Sequence, residues 1–284
     1  MSTIRTTLLL GALTGILVAI GSLWGQNGIV IAFVFAVVMN LGSYWFSASI
    51  VLRTSGAHEA SEQQYSDLHR ITNRLVTNAG LPKPRLYVIS SQAPNAFATG
   101  RNPSHAAVAV TDGLLGLLNE QELEGVIAHE LAHVKNRDIL ISSLAATIAG
   151  AIMMVAHMAR WSALWGGGRD RQGGVFGVLA MAILAPLAAM MVQMAISRTR
   201  EYKADATGAS IVGHPQGLAN ALRRLEKVNK RVPPEASPAS TATAHMYIVR
   251  PFSGGFSNLF STHPPMEKRI ARLIGNQGRS SIIS

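Results

Sequence analysis

At 284 residues, of which 48% are hydrophobic and only 14% charged, the chain is long enough for one or two domains but too apolar for an ordinary water-soluble enzyme, and it points to a membrane protein. The absence of cysteine excludes a disulfide framework, a thiolate metal site and a cysteine nucleophile, so any metal must be held by histidine and carboxylate. The net charge of +10 does not form a nucleic-acid patch: residues 53–138 carry 8 Lys/Arg against 9 Asp/Glu, whereas residues 198–284 carry 13 against 5. Such a basic segment, beginning with Arg198, Arg200 and Lys203 at the end of an apolar run, reads as facing an anionic cytoplasmic leaflet, and no nucleic-acid partner is expected.

No residue from Thr6 to Leu52 is charged. That is about twice the roughly 20 residues of one transmembrane helix, and Gly25-Gln26-Asn27-Gly28 interrupts it, so residues 6–24 and 28–51 are read as a hairpin of two spans. Trp24, Tyr44 and Trp45 lie near span ends, as interfacial aromatics do. A cleaved signal peptide is the competing reading of residues 1–25, but the run exceeds a signal core and a second span follows at once, which favours an uncleaved anchor. Arg5 precedes the first span, Arg53 follows the second and the turn is uncharged, so both ends of the hairpin are expected on the cytoplasmic side.

Residues 53–138 carry both element types. Residues 61–78 have helical periodicity, with Leu68, Ile71, Leu75 and Val76 apolar. Residues 85–89, 94–100 and 106–111 are strand candidates, the last closed by Asp112-Gly113, and residues 112–118 make a turn and short helix. Together they predict a small sheet. Asn119 and Glu122 then form a capping box for a helix in which Leu123, Val126, Ile127, Leu131 and Val134 recur at helical spacing.

In that helix stands His129-Glu130-Leu131-Ala132-His133. Two histidines four apart project about 40° apart on one face, so their imidazoles can share a small cation with the glutamate beside it, which is the geometry of zinc hydrolysis. An amphipathic helix with two merely hydrogen-bonded histidines is the bland alternative, but it does not require a glutamate next to the first histidine.

Residues 139–159 are uncharged apart from the titratable His157, and residues 173–197 are uncharged, so a second apolar hairpin starts six residues after His133. Two crossings return the chain to its starting side. The connecting loop carries Arg160, Arg169 and Arg171 against Asp170, which opposes the positive-inside preference and leaves a re-entrant or interfacial hairpin as the alternative. Pro186 is expected to kink the fourth segment, and His157 to be interfacial or packed rather than a ligand.

A catalytic zinc takes three protein ligands. Beyond the second hairpin Glu201 and Asp205 stand at i and i+4, and Glu201 is expected as the third ligand, with Asp205 one turn behind to accept the spare N–H of a ligating histidine. A solvated juxtamembrane charge cluster is the bland reading of the pair. His58, His69, His105, His214, His245 and His263 repeat no ligand spacing with His129 and His133, and Asn136 and Asp138 are expected to end the helix. Residues 215–228 read as an amphipathic helix, residues 231–261 as a substrate-gating loop or an inert linker, residues 266–274 as a terminal amphipathic helix, and the tail from residue 275 as disordered.

With these residues assembled, the chain resembles the HtpX family of membrane-integrated zinc proteases over nearly its whole length. The motifs that carry the likeness are His129-Glu130-x-x-His133, Pro-Asn-Ala-Phe-Ala-Thr-Gly at 94–100, Ser-Arg-x-Arg-Glu-Tyr-x-Ala-Asp at 197–205, and Ser-Thr-His-Pro-Pro at 261–265 before Arg269. A more distant likeness is to the CAAX prenyl endopeptidases. The resemblance implies a multi-pass protein of the bacterial cytoplasmic membrane, with one Zn²⁺ per subunit, that cuts damaged or misassembled membrane proteins and unfolded polypeptides. It also implies that Asn95, Ala96 and Phe97 lie on the strand that pairs with substrate, and that His263, with Arg269 nearby, helps stabilise the oxyanion.

The expected fold is α+β and mostly helical: a transmembrane hairpin at 1–52, a first catalytic part at 53–138, a second membrane hairpin at 139–197 and a second catalytic part at 198–284, joined as a cytoplasmic zincin-like domain with a small sheet. In the expected mechanism His129, His133 and Glu201 hold zinc and Glu130 is the general base. The alternatives are a processing peptidase for one lipid-modified or peptide substrate, and a non-catalytic membrane scaffold with a structural metal.

Overall fold

The structure, a computed structural model, describes residues 25–144, 198–229 and 264–275, together with residues 7, 10, 11, 14, 15, 18 and 22. Most of the first expected span, the second hairpin beyond residue 144 with its arginine-bearing loop, Pro186 and His157, the 231–261 loop with His245, His263, and the tail from 276 lie outside the described residues.

Helix α1, Gly25–Thr54, is 30 residues long, about 45 Å at 1.5 Å per residue. Among the described residues it is the one helix long and apolar enough to cross a membrane. Ile31, Phe33, Phe35, Val38, Leu41 and Phe46 are all more than half exposed, so α1 presents apolar side chains that the described protein does not cover, as a membrane-crossing helix does. The expected break at residues 25–28 is absorbed into its first turn, with Gly25 at φ +74. Asn40 Nδ2 donates to Thr14 Oγ1 at 2.9 Å and to the Leu10 carbonyl at 3.4 Å, a polar clasp between α1 and the segment before it.

Four strands follow the order β1-β2-β4-β3. These are β1, Ala57–Glu59; β2, Arg85–Ile89; β3, Ala96–Gly100; and β4, Ala106–Thr111. β1 is antiparallel to β2, β2 parallel to β4, and β3 antiparallel to β4. The short β1 is not legible in the sequence; it forms because the end of α1 delivers Ala57 opposite Ile89.

Strand alternation sends side chains to two different layers. Leu86, Val88, Ala96, Ala98, Val108 and Val110 face the catalytic helices, while Phe97, Ala107 and Ala109 pack on Val51 and Leu52 at the end of α1. That double burial explains why β4 reads Ala-Ala-Val-Ala-Val-Thr, apolar on both faces.

On the helical side lie α2, Ser66–Ala79; α3, Asp112–Leu117; α4, Glu120–Lys135; α5, Arg198–Val212; α6, Gln216–Asn229; and α7, Met266–Gly275. α2 buries Leu68, Ile71, Leu75 and Val76 and stops at Gly80, whose φ of +64 suits a residue without Cβ. α4 runs through the middle, packed against α5 and α6. A side chain on Gly125 would overlap the Leu218 backbone and one on Gly217 the Gln121 backbone, so these glycines set how closely α4 and α6 approach.

Candidate metal centre and catalytic site

The site is built on α4, whose start the capping box defines: Glu122 N donates to Asn119 Oδ1 at 2.9 Å, and Asn119 N donates to Glu122 Oε2 at 3.1 Å. Ten residues further on, His129 and His133 stand one turn apart with ring centroids 4.8 Å from each other. Their Nε2 atoms are 3.3 Å apart.

α5 brings the carboxylates. Its inward stripe is Glu201, Ala204, Asp205, Gly208 and Ile211, the i, i+3, i+4, i+7 spacing of one helix face. Glu201 Oε2 lies 3.7 Å from His129 Nε2, and Oε1 lies 3.6 Å from His133 Nε2. One ligand atom from each of the three residues falls within 4.8 Å of the others. Gly208 makes this possible, because a Cβ there would sit 3.0 Å from the His129 backbone nitrogen.

Both histidines have a carboxylate behind them. Asp205 Oδ1 is 3.0 Å from His129 Nδ1, and Asp138 Oδ2 is 3.6 Å from His133 Nδ1. Negative charge on the Nδ1 side of both rings favours a proton there and leaves Nε2 toward the shared space, where His129 Nε2 also lies 3.4 Å from Arg269 Nη2. Two imidazole nitrogens and one carboxylate are the donor set of a catalytic zinc site. Among the described residues, Glu130, Glu201, Asp138 and Asp205 meet at the two histidines with Arg269 as the buried cation, a charge balance that suits a divalent ion.

Arg269, on α7, is buried without exposure. Its Nε donates to Asp205 Oδ2 at 2.9 Å and its Nη2 to Oδ1 at 2.6 Å, while Nη1 is 3.8 Å from Glu201 Oε2. The resemblance places Arg269 beside His263 at an oxyanion; here two of its nitrogens are bonded to Asp205.

Electrostatics follow from this crowding. Burial raises the Asp205 carboxyl, but Arg269 and His129 overcome it and hold Asp205 down at about 2. Burial pushes the His129 imidazole down, against the bond to Asp205. Burial also lowers His133, yet Asp138, Glu201 and Glu130 carry it up to about 9, so a positive charge is favoured where the carboxylates converge. Glu130 is only 4% exposed, and burial, opposed by His133 and reinforced by Glu201, pushes its carboxyl up to about 7.

Glu130 faces β3, near enough to the Ala98 backbone N–H for that dipole to favour the charged carboxylate. Thr111 N donates to Asn95 O at 2.9 Å, so Asn95, Phe97 and Thr99 turn their backbone groups toward β4, and Ala96, Ala98 and Gly100 turn theirs outward. Of the three residues expected to pair with substrate, Asn95 lies just before β3, Ala96 presents its backbone to the free side, and Phe97 sends its ring to the α1 side of the sheet.

Sequence reasoning assigned Asp138 only to ending the helix. The helix does end at Lys135, but Asp138 also turns back to His133, held by its own N–H to the His133 carbonyl at 2.9 Å. A carboxylate five residues past the second histidine was the available signal. Gly208, seven residues after Glu201, was the other. His58, His69, His105 and His214 lie away from the cluster, with His69 bonded to the Ala60 carbonyl and His105 to Asn102.

A two-histidine, one-glutamate cluster on adjacent helices, beside a buried glutamate and a strand at the end of the sheet order, defines a zinc-dependent endopeptidase. Residues 62–276 match the model of Peptidase family M48, and the chain belongs to that family. It is 58% identical over 276 residues to a Protease HtpX homolog of Desulforapulum autotrophicum, covering 95% of this chain and 88% of that protein. It is 55% identical over 275 residues to a Protease HtpX homolog of Pyrococcus furiosus, covering 95% and 94%. A solved structure, Ste24p of S. mikatae, aligns at 17% identity with a TM-score of 0.47, covering 93% of this chain and 62% of that chain.

Proposed function

We propose that this zinc endopeptidase hydrolyses internal peptide bonds of damaged or misfolded membrane proteins, as a quality-control protease with its site on the cytoplasmic face of a bacterial membrane. The convergence of His129, His133 and Glu201 beside Glu130 carries the reading. The uncharged runs at 6–24, 139–159 and 173–197 supply three further crossings beside α1, and Arg5 and Arg53 set the orientation.

Zinc in such a site supplies Lewis acidity, polarising the scissile carbonyl and making water acidic near neutral pH. His129, His133 and Glu201 hold it. Asp205 and Asp138 fix the two imidazoles in the donor tautomer, and Arg269 holds Asp205. Glu130 takes the proton of the attacking water and returns one to the leaving amine. An extended substrate lies along the outward edge of β3, with backbone pairing at Ala96 giving affinity with little side-chain selectivity. His263 is assigned to the oxyanion by family likeness.

The test is zinc content and casein cleavage in detergent for wild type, Glu130→Gln and Glu201→Ala. Wild type should hold one zinc and cut, Glu130→Gln hold zinc without cutting, and Glu201→Ala lose both. Cleavage by Glu130→Gln at the wild-type rate refutes the mechanism; zinc retained by Glu201→Ala refutes the ligand set.

A further inference from the structure

The catalytic edge strand is tied to the apolar helix at two heights. Phe97 packs on Val51 and Leu52 near the end of α1, whereas the Arg101 guanidinium, just past the end of β3, lies 4.4 Å over the ring of Trp45. From Leu52 back to Trp45 is about 10 Å along a helix, and from Phe97 to Arg101 about 13 Å along a strand, so β3 climbs α1 toward the apolar band. Trp45 is 55% exposed and the exposed apolar residues of α1 continue through Phe46 to Ile50, so the end of β3 lies level with the border of the apolar surface, just inside its last turn. An arginine stacked on an interfacial tryptophan keeps its charge among headgroups while its stem covers apolar surface.

A second anchor acts on the same strand end. Ser143, in the opening residues of the next apolar run, is fully buried, bonds Thr99 Oγ1 at 2.7 Å and accepts the Gly100 N–H at 3.2 Å. Gly100 is one of the residues turned away from β4, so Ser143 occupies that side of β3 at its bilayer end. Ala98, the β3 residue facing Glu130, is only two residues before that stop.

From this geometry we infer that the enzyme cuts juxtamembrane bonds, at a distance from the bilayer that β3 measures. The inference rests on the proposed peptidase reading and narrows its substrate class to segments just emerging from a membrane. Substrate backbone pairs beside Ala96, with Glu130 facing Ala98, and cannot continue along the edge past Gly100. The scissile bond therefore lies within about 10 Å of the interface, the length of the three residues from Ala98 to Arg101.

The experiment places full-length enzyme in liposomes of phosphatidylethanolamine and phosphatidylglycerol with a single-span substrate. Its tail is an unstructured repeat that offers the same bonds at every distance, and cut sites are mapped by mass spectrometry. Cuts should cluster within about three residues of the end of the span, at about 3.3 Å per residue, and should move residue for residue when apolar residues are inserted to shift that end. Replacing both Arg101 and Trp45 by Ala should broaden the cluster while leaving casein cleavage in detergent unchanged. Cuts scattered along the tail, cuts that stay with one sequence when the span end moves, or an equally narrow cluster without Arg101 and Trp45 would each overturn the inference while casein is still cut. Failure of wild type to cut either casein or the tethered tail would instead bring down the peptidase reading itself.

Discussion

Arg269 and Asp205 are joined by two hydrogen bonds, 2.6 Å and 2.9 Å, inside the protein, and the same Asp205 carboxylate lies 3.0 Å from His129 Nδ1. The C-terminal helix thus reaches the metal centre through one arginine. A buried pair of this kind is costly to break from one side, because the remaining charge loses its partner and cannot regain water.

Arg269→Ala should therefore destabilise the fold by about 3–5 kcal/mol, with Asp205 left as an uncompensated buried carboxylate. Arg269→Lys keeps the charge but cannot reproduce the two-point fork, and should fall between Ala and wild type. Thermal melts of the purified variants measure this; an Arg269→Ala melt equal to wild type would show that the pair contributes nothing.

Asp138 should matter to zinc without being a ligand. Asp138→Ala removes the carboxylate 3.6 Å from His133 Nδ1 and is expected to weaken zinc affinity about 10–100-fold, the usual cost of losing such a supporting group. Asp138→Asn retains an oxygen acceptor and should lose less. Competition with a zinc-chelating dye separates the two, and equal affinities for wild type and Asp138→Ala would refute the role.

Gly208 is a packing prediction. In Gly208→Ala the new Cβ meets the His129 backbone at 3.0–3.1 Å, so α5 must move off α4 and carry Glu201 with it. The expected cost is about 1–3 kcal/mol in stability, as for other overpacked contacts, together with weaker zinc retention. Dialysis against a weak chelator, followed by metal analysis, reads the second effect; full zinc occupancy in Gly208→Ala would mean the two helices tolerate the shift.

Removing the metal tests the cluster as a structural element. Chelation should lower the melting temperature, and zinc at about 100 times its dissociation constant should restore about 2.7 kcal/mol. Glu201→Ala should show neither the loss nor the recovery. A melting temperature indifferent to zinc in the wild type would place the metal elsewhere.

Much of this architecture is local and so legible in the chain. The capping box at Asn119 and Glu122, the strand at 85–89, the helical periodicity within 61–78 and the i, i+4 pairs His129/His133 and Glu201/Asp205 depend on residues a few positions apart, where periodicity and cap chemistry dictate geometry. The long uncharged runs likewise state their own solvent, since a helix with apolar residues all round has no stable home in water.

What only the tertiary structure decided is whatever depends on two distant segments arriving at one point. β1 has three residues and exists because β2 offers it an edge. Asp138 reads as a helix stop until the turn at Arg137, φ +59, swings it back to His133. Phe97 belongs to the motif at 94–100, yet pleating sends its ring to α1 while its neighbour Ala98 meets Glu130. Residue types along the chain determined that zinc chemistry and a membrane belong to this protein; the distance between them was settled by packing, because it depends on Arg101 meeting Trp45 and Ser143 meeting Gly100, contacts across 56 and 43 residues of sequence that no local rule encodes.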